Sequence, residues 1–462
     1  MSLNKLVGVA AVGLALAGGF AGAAYWSGQK TEQWYKNALA EASKYSELEI
    51  APIRYERGLF SSEAVTRYRL AVGSETIADG ADLAFSTREH IYHGPLPLAG
   101  WGVADVPMGL AAAVVRQTFD PESNPWLRQL AALYGGQDPV VAVTQVGFDG
   151  ASRTRLTMRP LTADNVGEWQ SLKFSGLEGQ TQLGPHGTSI RGDFTVNSLK
   201  AVTKAAPAGE AQAKGEVRFS LRDLKGAVNQ RKGPFDLMLG DSRFSAGELR
   251  IQDTANDAPV LLTNLGADAT IAPNPQNPQQ VNIDTVFKAE KLVVESWNGT
   301  GTLRLAFHNL DGATLGQLQQ WQQKIAKKPE DPQAINELVT LAKALLRGKP
   351  ELLLDTEAKV TQGDWRGKLS LSFQDYGEPD AVTDLSTLLK ILEKGSAEIV
   401  VSKGLADAMV ARAGEQQLFD MLAAGFLRLE GDHYKATARF ENGKLFVNDK
   451  EIPLDGGNGM NQ

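Results

Sequence analysis

Residues 299–311 read Gly-Thr-Gly-Thr-Leu-Arg-Leu-Ala-Phe-His-Asn-Leu-Asp, with Leu303, Leu305 and Phe307 on every second position. A strand sends successive side chains to opposite faces, so this spacing places the three apolar groups on one side of a sheet and Arg304 and His308 on the other. Val217-Arg-Phe219-Ser-Leu221 and Leu369-Ser-Leu371-Ser-Phe373 repeat the alternation. A helix face would recur at three- and four-residue steps, whereas the two-residue step repeated across all three phrases is the strand pattern. The fold class expected is therefore β-rich α+β, an extended antiparallel sheet, flat or groove-like, with helical insertions. One face of such a sheet must be covered or used. The candidates for that apolar face are Phe219, Leu221, Leu303, Leu305, Phe307, Leu369, Leu371 and Phe373, residue types that equally serve as ordinary core.

Towards the C-terminus, Ala436 to Val447 predicts a hairpin, because Asn442-Gly443 suits the positive φ angles of a two-residue turn. Two segments interrupt the strands with helical spacing. One runs over 315–347 and is broken near Pro329 and Pro332; the other covers 384–428 and holds a strand at Glu398 to Val401. Towards the N-terminus, a third helical insertion is expected over 101–134, punctuated by Pro107, Pro121 and Pro125. Before it, two strands flank a turn at Arg57-Gly58, and another strand runs towards Pro95 and Pro97.

Residues 30–48 carry Trp34, Ala38, Leu39, Ala42 and Tyr45 at helical spacing and read as a stalk. Ahead of it, Leu6 to Trp26 is a run of 21 residues without a charge, close to the ~20 a helix needs to cross a hydrocarbon core. Tyr25 and Trp26 sit where an interfacial aromatic belt would fall. The segment reads as a retained transmembrane helix, with a cleaved signal peptide as the alternative because Ala21-Gly22-Ala23 resembles a processing site. Gly18 and Gly22 have the spacing of a helix-dimerising pair. The division expected is 1–29 as anchor, 30–48 as stalk and 49–462 as a β-rich domain outside the cytoplasm.

Composition narrows the functions. The chain has 462 residues, 42% hydrophobic and 22% charged, with a formal net charge of −7 that supplies no field for binding nucleic acid. Its 47 glycines fit a turn-rich β protein. Cysteine is absent, which removes disulfides, thiolate catalysis and cysteine-ligated metal sites. The chain contains no G-x-S-x-G elbow, complete P-loop, H-E-x-x-H or EF-hand spacing. His90 and His93 are three apart, so on one strand they face opposite sides and do not converge on a metal. No catalytic, cofactor or metal residue is assigned, and the expectation is a protein that is not an enzyme.

Tyr55-Glu-Arg57-Gly58-Leu-Phe60-Ser61-Ser62, followed by His93-Gly94-Pro95-Leu-Pro97-Leu, resembles the paired elements of the YdgA-like family of Gram-negative inner-membrane proteins. That resemblance implies a single-pass inner-membrane anchor with the bulk of the chain in the periplasm. The family is of uncharacterised function and brings no catalytic residues to carry over. The motif residues also have plain structural readings, with Gly58 in a tight turn, Phe60 in the core and His93-Gly94-Pro95 at a rigid strand exit. The C-terminal phrase F-x-N-G-x-L-x-V-N is similar to AsmA-like envelope proteins, whose apolar β-grooves shield acyl chains. The leading functional expectation is a non-enzymatic, membrane-tethered protein that binds or passes on a lipid or amphiphile along an apolar sheet face. The alternative is an envelope scaffold that binds a protein partner or a second copy of itself.

Overall fold

Gly58 closes the first hairpin: its N–H donates to Ser61 O at 2.8 Å, and a Cβ there would lie 2.4 Å from that oxygen. Only glycine lets the two backbones approach so closely. Hairpins of this kind build nearly everything that follows. The computed structural model describes residues 35–36, 39, 48–58, 61–70, 84–93, 102–103, 105–107, 110–204, 215–254, 259–294, 296–327, 332–374, 391–413 and 425–453. Two units emerge. The N-terminal unit comprises Met1–Gly233, Ile251–Asp257 and Gln319–Pro332, and the C-terminal unit comprises Pro234–Arg250, Ala258–Leu318 and Gln333–Gln462.

In the N-terminal unit, β1 (Leu48–Arg57), β2 (Ser61–Leu70), β3 (Phe85–His93), β4 (Ala113–Phe119), β5 (Val140–Val146) and β6 (Ser152–Met158) pair antiparallel in sequence order. β6 then pairs with β9 (Leu177–Leu183), and β9 with the first half of β10 (Ser189–Thr203). The second half of β10 pairs with β8 (Trp169–Phe174), which carries β7 (Leu161–Val166). β11 (Val217–Lys232) runs along β10. Helix α1 (Pro125–Leu133) starts at Asn124, whose side chain caps Trp126 N at 3.1 Å, with proline at the first turn. It buries Leu127 and Leu130 against Ile91, Val115, Leu156 and Leu177. Tyr35 and Leu39 are buried in the same core, so this part of the expected stalk belongs to the packed unit. The reverse side of β3 to β5 is closed by Val103, Val106 and Ala111 over Val114, Val141 and Val143.

After β12 (Met238–Asp253), the C-terminal unit is a meander. β13 (Val260–Pro273), β14 (Gln280–Val294), β15 (Trp297–Asp311), β16 (Glu351–Val360), β17 (Gly363–Phe373), β18 (Leu392–Ser402) and β20 (His433–Glu441) pair in turn, all antiparallel. β19 (Arg428–Glu430) and β21 (Lys444–Val447) both pair with β20, and β22 (Lys450–Ile452) pairs with β21. The last large hairpin turns at Asn442 and Gly443, with φ of 54° and 75°, as its Asn-Gly pair predicts.

The region expected to be helical over 315–347 forms α2 (Gly312–Lys327) and α3 (Pro332–Leu346). The 101–134 insertion is corrected: Ala113–Phe119 is strand β4, and the only α-helix among the described residues there is Pro125–Leu133. Its Val114-Val115 pair is β-branched and buried on both faces, so tertiary packing overrides the mixed periodicity. Between 384 and 428 the strand is longer than expected, Leu392–Ser402, and leads directly into α4 (Lys403–Ala413). The expected anchor residues Leu6, Gly18, Gly22, Tyr25 and Trp26 lie outside the described residues, as do Phe60, Gly94, Pro95 and Pro97. Among the described residues no helix is long and apolar enough to cross a membrane.

Candidate functional site

Register decides which apolar residues share a face. In the C-terminal unit, Ile271, Ile283, Phe307, Leu352, Leu371, Gly395, Phe440, Leu445 and Ile452 stand directly opposite one another across nine strands. Two residues along, Thr285, Leu305, Leu354, Leu369 and Ala397 form a second row, and Phe287, Leu303, Thr356, Gly367 and Ile399 a third. Leu303, Leu305, Phe307, Leu369 and Leu371, picked out by alternation alone, therefore share one surface. Phe373 extends the row of Leu369 and Leu371 past a register shift, opposite Leu392. With about 4.8 Å between strands, nine strands make the surface roughly 38 Å wide.

This face is apolar but not closed. Phe287 is 44% exposed, Leu303 and Phe307 are 37% each, and Ile399 is 36%. One end is sealed, where α4 sets Leu405 and Ala406 on Val401 and Tyr434 with Trp297 and Trp365 beside them. Covering the exposed part of each open side chain would contribute about 1 kcal/mol, since full burial of such a group is worth roughly 1.5–3 kcal/mol. The opposite face is charged. Arg304 bridges Asp284 at 2.5 Å and Asp355 at 3.6 Å, His308 Nε2 lies 3.0 Å from Asp284, and Lys435 lies 3.3 Å from Glu398. Burial disfavours the Asp284 carboxylate, but hydrogen bonds from Arg304 and His308 outweigh it and hold its pKa below the ordinary range. The sheet is thus wet and ionic on one side and half-exposed hydrocarbon on the other.

Phe219 and Leu221 lie on β11 in the N-terminal unit, apart from these rows; Phe219 faces Ala201 and is partly buried against the cluster that holds Trp169 and Leu172.

The two motif strings meet in the N-terminal unit because β2 and β3 pair with Ser62 opposite Ile91. Ser62 Oγ lies 3.1 Å from His93 Nε2, with both residues buried. Burial and the Arg57 charge lower the His93 pKa, against a backbone hydrogen bond with Ser61 that raises it, so the ring is neutral at neutral pH. At 2% and 5% exposure, Ser62 and His93 pin the strand exit to the hairpin and do not reach solvent. His90 points to the other side, near Glu63. Tyr55 packs its ring at 5.3 Å on that of Tyr35.

Sequence reasoning missed Glu89, which is 1% exposed inside the same unit. It accepts from Gln117 at 2.9 Å, from Tyr35 at 3.3 Å and from Thr87, while Tyr35 and Thr66 share a hydrogen bond. Burial pushes its carboxyl up from 4.5 to about 7, and the hydrogen bonds from Thr87, Gln117 and Tyr35 resist a larger rise. Alternation does place Glu89 on the inner face with Thr87 and Ile91, but a single charged residue in a strand gives no sign of such burial. No group of three or more His, Cys, Asp or Glu among the described residues forms a metal site.

The chain matches, over residues 3–455, the family described as bacterial protein of unknown function, DUF945. It belongs to that family. It is also 22% identical to the protein YdgA of Escherichia coli strain K12, over 99% of this chain and 97% of YdgA. No solved structure matches the chain. Membership in DUF945 agrees with the YdgA-like motif strings and adds no catalytic role to Ser62 or His93. The motif earns its place here through the Gly58 turn and the Ser62–His93 bond.

Proposed function

We propose that this DUF945 protein is a non-enzymatic protein, anchored in the inner membrane with its bulk in the periplasm, that binds or passes on a lipid or similar amphiphile on the apolar face of its C-terminal unit. The observation that supports this reading is the apolar face built from these rows, with Phe287, Leu303, Phe307 and Ile399 more than a third exposed, opposite a face rich in ion pairs. A soluble monomer leaves so large an apolar patch exposed chiefly where something docks. Hydrocarbon chains suit it, because the face offers width and apolar contact but few polar groups to fix an orientation.

The test is native mass spectrometry of the full-length protein, extracted gently without added lipid, with lipid identified from the same sample. Retained phospholipid is expected, and Phe287→Ser with Phe307→Ser should lower its occupancy severalfold. A protein that carries no lipid above background, or whose lipid is indifferent to both substitutions, would remove this reading. A lipid-free dimer or protein complex would favour the scaffold alternative.

A further inference from the structure

Several arginines on the strands have a carboxylate beside them: Arg88 has Asp120 at 2.6 Å, Arg116 has Asp138 at 3.0 Å and Arg304 has Asp284 at 2.5 Å. Four on the outer face of the N-terminal unit do not. Arg153, Arg155, Arg191 and Arg231 are exposed, and among the described residues none forms an ion pair. Pairing sets them close together. Arg153 stands opposite Gln182, Gln182 opposite Arg191, and Arg191 opposite Asn229, while Arg231 faces Ser189 two residues along β10 and Arg155 lies two residues along from Arg153. Two strand spacings separate Arg153 from Arg191, about 10 Å.

Like charges so arranged repel one another, and such a cluster gains stability when an anion joins it. On the same face Asp193, two residues along from Arg191, accepts from Gln180 at 2.9 Å, and Glu178 lies two residues beyond Gln180 on β9, so the four arginines still outnumber the carboxylates around them. The whole chain is net negative, at −7, so the cluster is a local reversal of sign.

Beside the β9–β10 turn, a cavity of about 200 Å³ is lined by Gln182, Gly184, Ser189, Arg191, Asn229 and Arg231, together with Leu183 and Ile190. No carboxylate lines it. Arg191 Nε donates to Asn229 Oδ1 at 3.3 Å, which spends that nitrogen and that oxygen internally and leaves both Arg191 amino groups and the Asn229 amide N–H free to donate. The cavity thus presents two guanidinium forks, two carboxamides and a hydroxyl, a set of donors matched to the several oxygens of a tetrahedral anion. Its volume holds several groups of the ~30 Å³ occupied by one water, enough for such an anion with part of its hydration shell.

We propose that this cavity binds a phosphate group through Arg191 and Arg231, with Arg153 and Arg155 adding to the attracting field. The site is separate from the apolar face of the C-terminal unit and stands whether or not that face carries lipid. The phosphate has two natural sources, a free phosphorylated solute or the headgroup of an anionic lipid.

The experiment is calorimetric titration of the full-length protein, in non-ionic detergent at roughly 50 mM salt so that screening stays modest. Inorganic phosphate is one probe and glycerophosphoglycerol, a phosphodiester headgroup without acyl chains, is the other. The variant is Arg191→Gln with Arg231→Gln, exposed positions whose replacement leaves the core untouched. Phosphate binding that weakens roughly tenfold or more in the variant is expected. If glycerophosphoglycerol then binds more tightly than phosphate with the same dependence on both arginines, the lipid headgroup is the source; if phosphate binds more tightly, a solute is. No binding of either probe, or equal binding by wild type and variant, overturns the proposal. Lipid retention in the native mass spectra, read on the same variant, keeps this result distinct from the fate of the apolar face.

Discussion

β4 and β5 in the N-terminal unit and β15 to β17 in the C-terminal unit are built alike, as antiparallel neighbours of alternating sequence, yet they meet solvent very differently. β4 and β5 are buried almost throughout, on both sides, because α1 covers one face and Val103, Val106 and Ala111 the other. Along β16 every residue from Glu351 to Thr356 is only partly buried. The difference lies in what has been laid over the strands. It follows that alternating residues such as Leu305 or Leu369 announce a sidedness, and whether that side is core or surface depends on other parts of the chain.

The largest expected effect comes from breaking the closed region. Leu156→Ala removes a fully buried side chain and should destabilise the N-terminal unit by about 3 kcal/mol, within the ~2–5 kcal/mol such truncations cost. Phe307→Ala in the open region should cost no more than about half of that, because the ring already meets solvent. Denaturant unfolding followed separately for each unit measures both, and equal losses would contradict the contrast drawn above.

A comparable effect resides in Glu89. Its pKa of about 7 in the folded protein exceeds the ordinary 4.5, so the folded state binds its proton more tightly than the unfolded chain does. Its contribution is then fully present below about 4.5 and is lost as pH rises through about 7, where burying the carboxylate is least favourable. The shift corresponds to roughly 3 kcal/mol as an order of magnitude. Glu89→Gln should flatten the fall in stability between pH 4.5 and 7 and stabilise the unit at pH 8. Thermal unfolding across that pH range reports it, and a wild-type protein whose stability is level there would mean that Glu89 is ionised in the fold.

A smaller change sharpens the open region. Phe287→Ser should alter stability by less than about 1 kcal/mol, since the ring is 44% exposed, while reducing the fluorescence of an apolar dye bound by the full-length protein. Undiminished dye fluorescence would place the accessible hydrocarbon elsewhere. An effect of similar size is expected in the terminal hairpin, where Gly443→Ala at φ 75° should cost about 1 kcal/mol in denaturant unfolding, because a side chain is disfavoured in the left-handed region.

Much of this architecture was legible because its signals are local. The Asn442-Gly443 turn, the Arg57-Gly58 turn and the alternation of β11, β15 and β17 each depend on a few neighbouring residues and appear where expected. The error over 101–134 had the opposite cause. Val114 and Val115 sit in a stretch whose apolar spacing suits a helix as well as a strand buried on both faces, and only the neighbours β3 and β5 resolve the ambiguity. Of the candidate site, the sequence marked individual apolar positions without showing which of them would stand in one row.

By itself, then, the sequence determined the β-rich class, the principal turns, the membership in DUF945 and the sidedness of single strands, since these follow from backbone preferences, period-2 patterning and motif strings. Tertiary structure alone decided that Phe219 is partly buried beside Leu172 while Phe307 is more than a third exposed, that Glu89 is buried beside Tyr35, and that Arg153, Arg191 and Arg231 gather without an ion pair among the described residues. Those outcomes depend on register and on long-range cover, and a side chain's burial, pKa and ionic partners are set by residues far away along the chain.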